Sequence, residues 1–287
     1  MRIVVTGAGG QLGRELVGVI AAAGHEPVTA DRRVCDVTVP GAAQRLLAES
    51  GPDAVVNCAA WTDVDGAERA PDDAYRANAL GPRLLAAACA AAGVRLCHVS
   101  TDFVFDGEGD GPLDEWAPVR PLSVYGASKL AGEHEVRSLC PDHQIVRTAW
   151  LFGQDGPNFV LTVLRLAAQR PELRVVDDQH GSPTWTGHLA PALLRLVELG
   201  VPGTFHLTGG GGTSRHGLAS AVLEEAGMDV PVIPVGSDEF PLPATRPRNA
   251  ILDNRAWRLL GEPPLPAWRE GVRGYLGARC TPVRAQE

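Results

Sequence analysis

The sequence lacks paired cysteines, long apolar runs and an excess of basic charge. Its six cysteines form no Cys-x-x-Cys pair and no Cys/His spacing typical of a metal site. Cys58 and Cys89 lie within apolar runs, where a reduced thiol behaves as a small hydrophobe. The longest apolar run, Leu84–Ala92, is far shorter than the ~20 residues that span a bilayer. We therefore expect a cytoplasmic protein with no secretory signal, no metal site and no membrane partner.

The net charge of −8 argues against a nucleic-acid-binding surface, because phosphate backbones bind to basic surfaces. A local basic pocket for one diphosphate is still compatible with this charge. Small molecules are therefore the expected partners. The length of 287 residues suits one large α/β domain, or a cofactor domain with a smaller partner.

Short β-branched runs alternate with segments of helical length in the first half of the chain. Strands that are apolar throughout, each followed by a helix, predict a parallel sheet covered on both faces. We therefore predict a doubly wound α/β fold of the Rossmann type. The predicted strands are Ile3–Thr6, Pro27–Ala30, Ala54–Ala59, Val94–Ser100 and Gln144–Ala149. The predicted helices are Gln11–Ala23, Ala42–Glu49, Ala74–Ala92 and Tyr125–Leu139, and a break in the third near Gly81-Pro82 stays open.

The rhythm changes near residue 150, where proline and glycine become frequent and the predicted elements become shorter. We place the dinucleotide-binding domain at 1–150 and a smaller α/β substrate-binding region at 151–287. Some of the later strands are allowed to return to the main sheet. A helix over Phe159–Arg170, a strand over Leu173–Val176 and a helix over Arg215–Ala226 are among the later elements.

A glycine-rich loop, Gly7-Ala8-Gly9-Gly10-Gln11-Leu12-Gly13, joins the first strand to the first helix. Glycine permits a tight turn there and lets the backbone approach a pyrophosphate at the helix N-terminus. Asp31 follows the second strand at the usual place of an acid that binds the ribose 2′-hydroxyl. Arg32 and Arg33 act in the opposite direction, because a guanidinium can pair with a 2′-phosphate. NADH and NADPH both stay open.

Tyr125 and Lys129 are four residues apart on a predicted helix and therefore share one face. The ammonium is expected to lower the pKa of the phenol from its usual value of about 10. Such a tyrosine can donate a proton to a carbonyl oxygen while hydride arrives at the carbon. Thr101 ends the fourth strand at the edge of the sheet where ligands bind, and its hydroxyl can donate to the same oxygen. The alternative for Thr101 is a turn or helix cap, and for the pair an ordinary amphipathic helix.

These motifs together resemble the dTDP-4-dehydrorhamnose reductase family of extended short-chain dehydrogenases. The resemblance runs from residue 1 to about residue 276. It is carried by the glycine loop and by six further stretches: Ser100-Thr101-Asp102-Phe103-Val104-Phe105-Asp106-Gly107, Tyr125-Gly126-x-Ser128-Lys129-x-x-Gly132-Glu133, Arg147-Thr148-Ala149-Trp150, Asn158-Phe159, Asp178-Gln179-x-Gly181-Ser182-Pro183-Thr184 and Arg246-Pro247-x-Asn249.

The resemblance implies that NAD(P)H reduces the C4 ketone of a dTDP-4-keto-6-deoxyhexose, the last step of dTDP-rhamnose formation. By matching positions it implies that Thr101, Tyr125 and Lys129 are catalytic and that Thr101, Asp102 and Trp150 touch the sugar. The ring of Trp150 could also stack on a sugar, although a tryptophan in the core is the alternative. The residues expected to bind the cofactor are Gly7, Gly10, Gln11, Leu12, Gly13, Asp31, Asp36, Val37, Ala60, Trp61, Thr62, Tyr125 and Lys129.

The sequence departs from the family at two positions. Phe103 stands where the family usually has tyrosine, and Trp61 stands where tyrosine or histidine is more common. Loss of a polar group that binds a hydroxyl can change substrate choice, so these positions bear on the sugar more than on the chemistry. Some relatives are described as using Mg²⁺ through acidic residues at a dimer contact. No such cluster is evident here, and a homodimer stays open.

Three alternatives remain beside the rhamnose reductase. The chain could reduce another dTDP-deoxysugar, such as one used in secondary metabolism. It could be a non-catalytic regulatory subunit, although a protein that only binds has no evident need for Tyr125, Lys129 and Thr101. It could also be an epimerase or dehydratase, for which Asp102 is the only candidate for the additional acid or base. Stoichiometric consumption of NAD(P)H would separate the reductase from the last two.

Overall fold

A computed structural model describes residues 1–280 of the chain. Residues 281–287, the end of the predicted substrate-binding region, lie outside the described residues. The first half contains five strands with the bounds β1 (Arg2–Thr6), β2 (Glu26–Ala30), β3 (Ala54–Asn57), β4 (Arg95–Thr101) and β5 (His143–Thr148). All five agree with the predicted strands to within two residues at each end.

Six helices lie in the same half of the chain: one follows each of β1, β2 and β4, and three follow β3. Ser123 begins the last of them, because its side chain accepts a hydrogen bond from the amide of Gly126. The bounds of the helices are α1 (Gln11–Ala22), α2 (Ala42–Ser50), α3 (Val64–Arg69), α4 (Pro71–Tyr75), α5 (Gly81–Ala92) and α6 (Val124–Leu139).

The second half contains shorter elements, as expected from its proline and glycine content. In chain order they are β6 (Leu151–Phe152), α7 (Phe159–Ala167), β7 (Leu173–Val176), β8 (His180–Gly181), β9 (Thr184–Trp185), α8 (Thr186–Leu199), β10 (Gly203–His206), β11 (Thr213–Ser214), α9 (Arg215–Glu225), β12 (Val232–Val235), β13 (Asn249–Ala250), α10 (Arg255–Leu259) and α11 (Trp268–Cys280).

The main sheet has six parallel strands in the order β10-β5-β4-β3-β1-β2. Ile3 and Val5 of β1 pack into one core with α1 and α8, whereas Val4 packs into a second core with α2 and α5. Alternate side chains of a strand point to opposite faces, so the sheet is covered on both sides. The prediction of a doubly wound α/β fold is confirmed.

Two elements of the second half, a strand and a helix, pack with the first half: the strand extends the main sheet and the helix covers one of its faces. β10 pairs with β5 along the edge of the sheet, and α8 packs against α1. The rest of this half builds its own core from α7, α9 and α11, centred on the buried side chains of Phe152, Val222 and Tyr275. No helix within residues 1–280 combines the length and apolar character that a membrane crossing needs.

One predicted helix, Ala74–Ala92, is broken in the structure. It becomes α4, a π-helical segment at Arg76–Leu80 and then α5, which begins at Gly81. Single π-turns often mark functional sites, because they turn a side chain out of the regular helical pattern. The residue turned inward here is Asn78, which is fully buried. The short helix α3 and the π-turn were not predicted.

Candidate active site

A cavity of about 830 Å³ lies at the carboxyl ends of β1, β3, β4 and β5. Ligands of doubly wound sheets bind at this edge. A second cavity of about 480 Å³ shares Gly7, Gly10, Cys58 and Ala60 with the first, so the two form one groove. Of the residues that were predicted to bind cofactor or substrate, all except Asp31 line this groove.

The glycine loop brings backbone close to backbone at the start of α1. Gly7 has a φ of +66°, and a Cβ atom there would lie 2.7 Å from the backbone nitrogen of Ala59. The N-cap residue Gly10 has no side chain to accept from the first amides of the helix. Those amides therefore remain available for an anion, which the helix dipole also favours. The loop fits the pyrophosphate of a dinucleotide.

Tyr125, Lys129 and Thr101 line the same cavity, as the sequence predicts. Tyr125 and Lys129 come from the first turns of α6, and Thr101 is the last residue of β4. The Nζ atom of Lys129 donates to the carbonyl oxygen of Val99 at 2.7 Å. The ring of Phe103 lies edge-on to the ring of Tyr125, with 5.4 Å between the ring centroids.

The expected lowering of the Tyr125 pKa is wrong for this chain. Burial raises the pKa of Tyr125 to about 12, and the carboxylate of Asp102 acts in the same direction, whereas a hydrogen bond with Thr101 opposes it. Burial also lowers the pKa of Lys129 to about 8, against the negative charge of Glu133. Desolvation is thus the largest effect at both groups: it outweighs a hydrogen bond at Tyr125 and the charge of Glu133 at Lys129. The phenol keeps its proton at neutral pH, which is the state that a proton donor needs.

Asp102 lies beside the catalytic group and is almost completely buried. The hydroxyl of Thr101 donates to its Oδ1 atom at 3.0 Å, while Oδ2 has no hydrogen-bond partner among the described residues. Burial raises the pKa of Asp102 to about 6, although the hydrogen bond from Thr101 and the charge of Arg215 act against this. An unpaired buried oxygen of this kind can bind a ligand hydroxyl.

A buried ion pair lies beneath the catalytic residues. Glu133 accepts from the guanidinium of Arg147 at 2.9 and 2.7 Å and from the hydroxyl of Ser100 at 2.6 Å. Glu133 is one turn beyond Lys129 on α6, Ser100 precedes Thr101 on β4, and Arg147 lies on β5. The pair therefore fixes α6, which carries Tyr125 and Lys129, against β4 and β5.

Asp31 and Arg32, the two candidates for binding the ribose of the cofactor, differ in their position relative to the second cavity. The carboxylate of Asp31 turns toward its own loop and accepts from the amides of Arg33 and Val34 at 2.8 and 3.1 Å. Arg32 lines the cavity together with Asp36, to which its Nε atom donates at 3.1 Å. The role predicted for Asp31 is untested and stays a prediction.

Two functional candidates were missed from the sequence. The side-chain amide of Asn78 accepts from the backbone amide of Trp61 at 2.8 Å and donates to its carbonyl at 3.1 Å, so it fixes one wall of the second cavity. Arg215, the first residue of α9, lines the main cavity and lies over the ring of Trp150. Neither follows a local sequence pattern, because both act across distant parts of the chain.

The comparison with protein-family models decides the relationship. Residues 1–279 match the RmlD substrate binding domain. A curated dTDP-4-dehydrorhamnose reductase from Mycobacterium tuberculosis is 47% identical over 287 residues, which cover 96% of this chain and 93% of the relative.

The chain belongs to the dTDP-4-dehydrorhamnose reductase family. A crystal structure of a family member from Bacillus anthracis, in complex with NADP, superimposes with a TM-score of 0.94 at 38% identity, covering 96% of this chain and 99% of that one. The dTDP-4-keto-6-deoxy-D-glucose reductase of Streptomyces niveus is 41% identical, with 93% of each chain covered. The family resemblance stated from the motifs is therefore confirmed, and both reductase types resemble this chain over nearly its whole length.

Proposed function

We propose that the chain is an NAD(P)H-dependent oxidoreductase that reduces the C4 ketone of a dTDP-4-keto-6-deoxyhexose, with dTDP-4-dehydrorhamnose as the first candidate substrate. The observation that carries the proposal is the placement of Tyr125, Lys129 and Thr101 in one cavity with the glycine loop. The reductases that this chain resembles carry names that specify the same chemistry.

The nicotinamide, when bound, supplies the hydride for the ketone carbon. The protonated phenol of Tyr125 donates its proton to the ketone oxygen. As negative charge develops there, the hydroxyl of Thr101 donates its one hydrogen to that oxygen in place of Asp102, to which it donates in the structure. Lys129, held by the carbonyl of Val99, is placed to bind the nicotinamide ribose. Asp102 offers its unpaired Oδ2 atom to a sugar hydroxyl.

The main test is an NAD(P)H oxidation assay with purified dTDP-4-dehydrorhamnose, run with both cofactors and with and without a chelator. We expect one NAD(P)H to be consumed for each ketone reduced, with dTDP-L-rhamnose as the product by NMR. Absence of turnover with all dTDP-4-keto sugars tested would leave the non-catalytic subunit as the better explanation. Turnover without net NAD(P)H consumption would favour an epimerase.

A second candidate is a 4-ketoreductase for another dTDP-deoxysugar. It is supported by the similarity to the Streptomyces niveus enzyme and by Phe103, which lines the cavity beside Tyr125 where the family usually has a hydroxyl-bearing tyrosine. The configuration at C4 of the product separates the two candidates. A product other than the L-rhamno isomer would rule out the first.

NADPH is the cofactor that we favour, since Arg32 faces the second cavity and Asp31 does not. A guanidinium there can pair with a 2′-phosphate. The division at residue 150, a cytoplasmic location, a homodimer and a need for Mg²⁺ stay predictions, which limited proteolysis, cell fractionation, light scattering and the chelator arm of the assay would test.

A further inference from the structure

The cationic side chains that line the main cavity differ in what they are bound to. The Nε atom of Arg14 donates to the carbonyl of Gly9 at 3.0 Å, and its Nη1 atom lies 3.7 Å from the carboxylate of Asp155. Lys129 donates to the carbonyl of Val99. Arg215 has no such partner: within residues 1–280 no carboxylate comes within 4.0 Å of its guanidinium.

The guanidinium of Arg215 is held instead by aromatic rings. Its Cζ atom lies 3.5 Å from the ring centroid of Trp150 and 5.2 Å from that of Phe159. Cation–π contact of this kind holds a guanidinium in place but leaves its N–H donors free. Burial lowers the pKa of Arg215 to about 10, so the side chain is still cationic at neutral pH.

The ring that supports Arg215 is itself fixed by the backbone. Trp150 has a φ of +45°, and it is the only non-glycine residue with a positive φ in the part of the chain that the structure describes. Such a conformation is costly for a bulky residue and is found where the surroundings enforce it, often at binding sites. Gly181 lies directly against the indole, which leaves no room for a side chain at position 181.

A second arginine in the neighbourhood, Arg246, is already neutralised. Arg246 is close enough to influence the charge of Arg215, but it binds Asp65 through two hydrogen bonds of 3.1 and 2.7 Å. Arg215 is therefore an immobilised cation with free donors in the wall of the main cavity. The same cavity is lined by the glycine loop and by the proposed catalytic residues Thr101, Tyr125 and Lys129.

We propose that Arg215, supported by Trp150, binds the diphosphate of the nucleotide-sugar substrate, while the glycine loop binds the pyrophosphate of the cofactor. The inference rests on the proposed function and adds the residue that anchors the substrate. C1 and C4 lie at opposite ends of a hexose ring, so a diphosphate on C1 extends away from a ketone placed at Tyr125. Guanidinium groups suit this role because their donors match phosphate oxygens in pairs.

This arrangement also changes the role expected for Trp150. The guanidinium of Arg215 covers one face of the indole, so stacking of a sugar on that face would require Arg215 to move. In the proposed complex Trp150 contributes by holding Arg215, and its contact with the sugar is secondary. The stacking expected from the sequence is not tested by this geometry and stays a prediction.

The test compares dTDP with thymidine as ligands of the NADP⁺-saturated protein, by isothermal titration calorimetry. Saturation with NADP⁺ keeps dTDP away from the cofactor's own pyrophosphate site. In Arg215→Gln we expect the affinity for dTDP to fall about 10- to 100-fold, the usual effect of losing hydrogen bonds to a charged group. The affinities for thymidine and for NADP⁺ should stay within about twofold of wild type, the scatter expected without a lost contact.

Arg255→Gln is the matched control, because Arg255 also lies over a tryptophan, Trp116, but does not line the cavity. It should bind dTDP like wild type. The proposal is overturned if Arg215→Gln binds dTDP normally, or if it loses affinity for dTDP and thymidine by the same factor. It is also overturned if the loss appears in NADP⁺ binding alone, since the anion bound by Arg215 would then be that of the cofactor.

A measurement on the wild-type protein guards against a variant that fails to fold. Inorganic pyrophosphate should displace dTDP competitively from the NADP⁺-saturated protein, and failure to displace it would contradict a diphosphate site. Failure of this proposal can be distinguished from failure of the proposed function. Binding of dTDP through Arg215 without turnover would overturn the reductase. Turnover together with normal dTDP binding in Arg215→Gln would overturn only the role of Arg215.

Discussion

The two halves of the chain contribute to the active site in different ways. In the first half, Tyr125, Lys129 and Thr101 lie at places dictated by regular structure, the first turns of a helix and the end of a strand. Arg215, from the second half, instead meets Trp150, at the boundary of the two halves, through a strained backbone residue and an aromatic contact. The residues proposed for the chemistry thus lie on regular elements, while the contacts proposed for the substrate diphosphate depend on irregular ones. Each of the following predictions tests this contrast.

The largest effect is expected from removing the phenolic hydroxyl in the first half. Tyr125→Phe should lower kcat by about 10²- to 10⁴-fold, the usual contribution of a positioned general acid. Binding of NADPH, measured by fluorescence titration, should be retained because the glycine loop is unchanged. Tyr75→Phe, at an exposed position, is the control. Undiminished kcat in Tyr125→Phe would remove this residue from the mechanism and with it the assignment of chemistry to the first half.

The next effect concerns stability. Arg147→Met removes the closer of the two arginines that pair with the fully buried carboxylate of Glu133 and leaves only Arg137, at 3.6 Å. We expect the free energy of unfolding to fall by about 3–5 kcal/mol. The matched change in the second half is Arg273→Met, which breaks the ion pair of an exposed arginine with Glu225 and should leave the free energy of unfolding almost unchanged. Chemical denaturation measures both. Equal losses of unfolding free energy in the two variants would show that the two ion pairs stabilise the protein equally.

The pH dependence should report on the first half alone. Lys129, with a pKa of about 8, loses its charge as pH rises, whereas Tyr125, with a pKa of about 12, stays protonated. We expect kcat/KM to fall about tenfold per pH unit above pH 8. Arg215→Gln should show the same alkaline limb at a lower level. A profile that stays flat to pH 10 would contradict a requirement for charged Lys129.

The smallest effect on kinetics is expected from Arg32, which lines the second cavity. Arg32→Ala should raise the KM for NADPH by about 5- to 10-fold through loss of a charged contact, and should leave the KM for NADH unchanged. The side chain is largely exposed and shared with Asp36, which limits the effect. Arg33→Ala, a neighbour that does not line the cavity, is the control. A parallel change for both cofactors would mean that Arg32 does not distinguish them.

The first half was largely predictable because its patterns are local. Apolar strands followed by helices determine a parallel sheet, and the loop from Gly7 and the pair Tyr125/Lys129 have fixed spacings. The pKa of Tyr125 was not predictable, since the sequence shows the nearby lysine but not the burial that raises this pKa. Arg215 was missed because the contact with Trp150 joins residues 65 positions apart. The π-turn at Asn78 was missed because its cause is tertiary packing.

The pairing of β10 with the main sheet affects how the chain folds during synthesis. β5 is complete at Thr148, yet its neighbour on the sheet edge ends only at His206. Until the later segment leaves the ribosome, the nascent sheet exposes the backbone N–H and C=O groups of β5, a surface that can pair with other chains. A fragment cut after residue 150 would carry that open edge permanently, so we expect it to aggregate when it is expressed by itself.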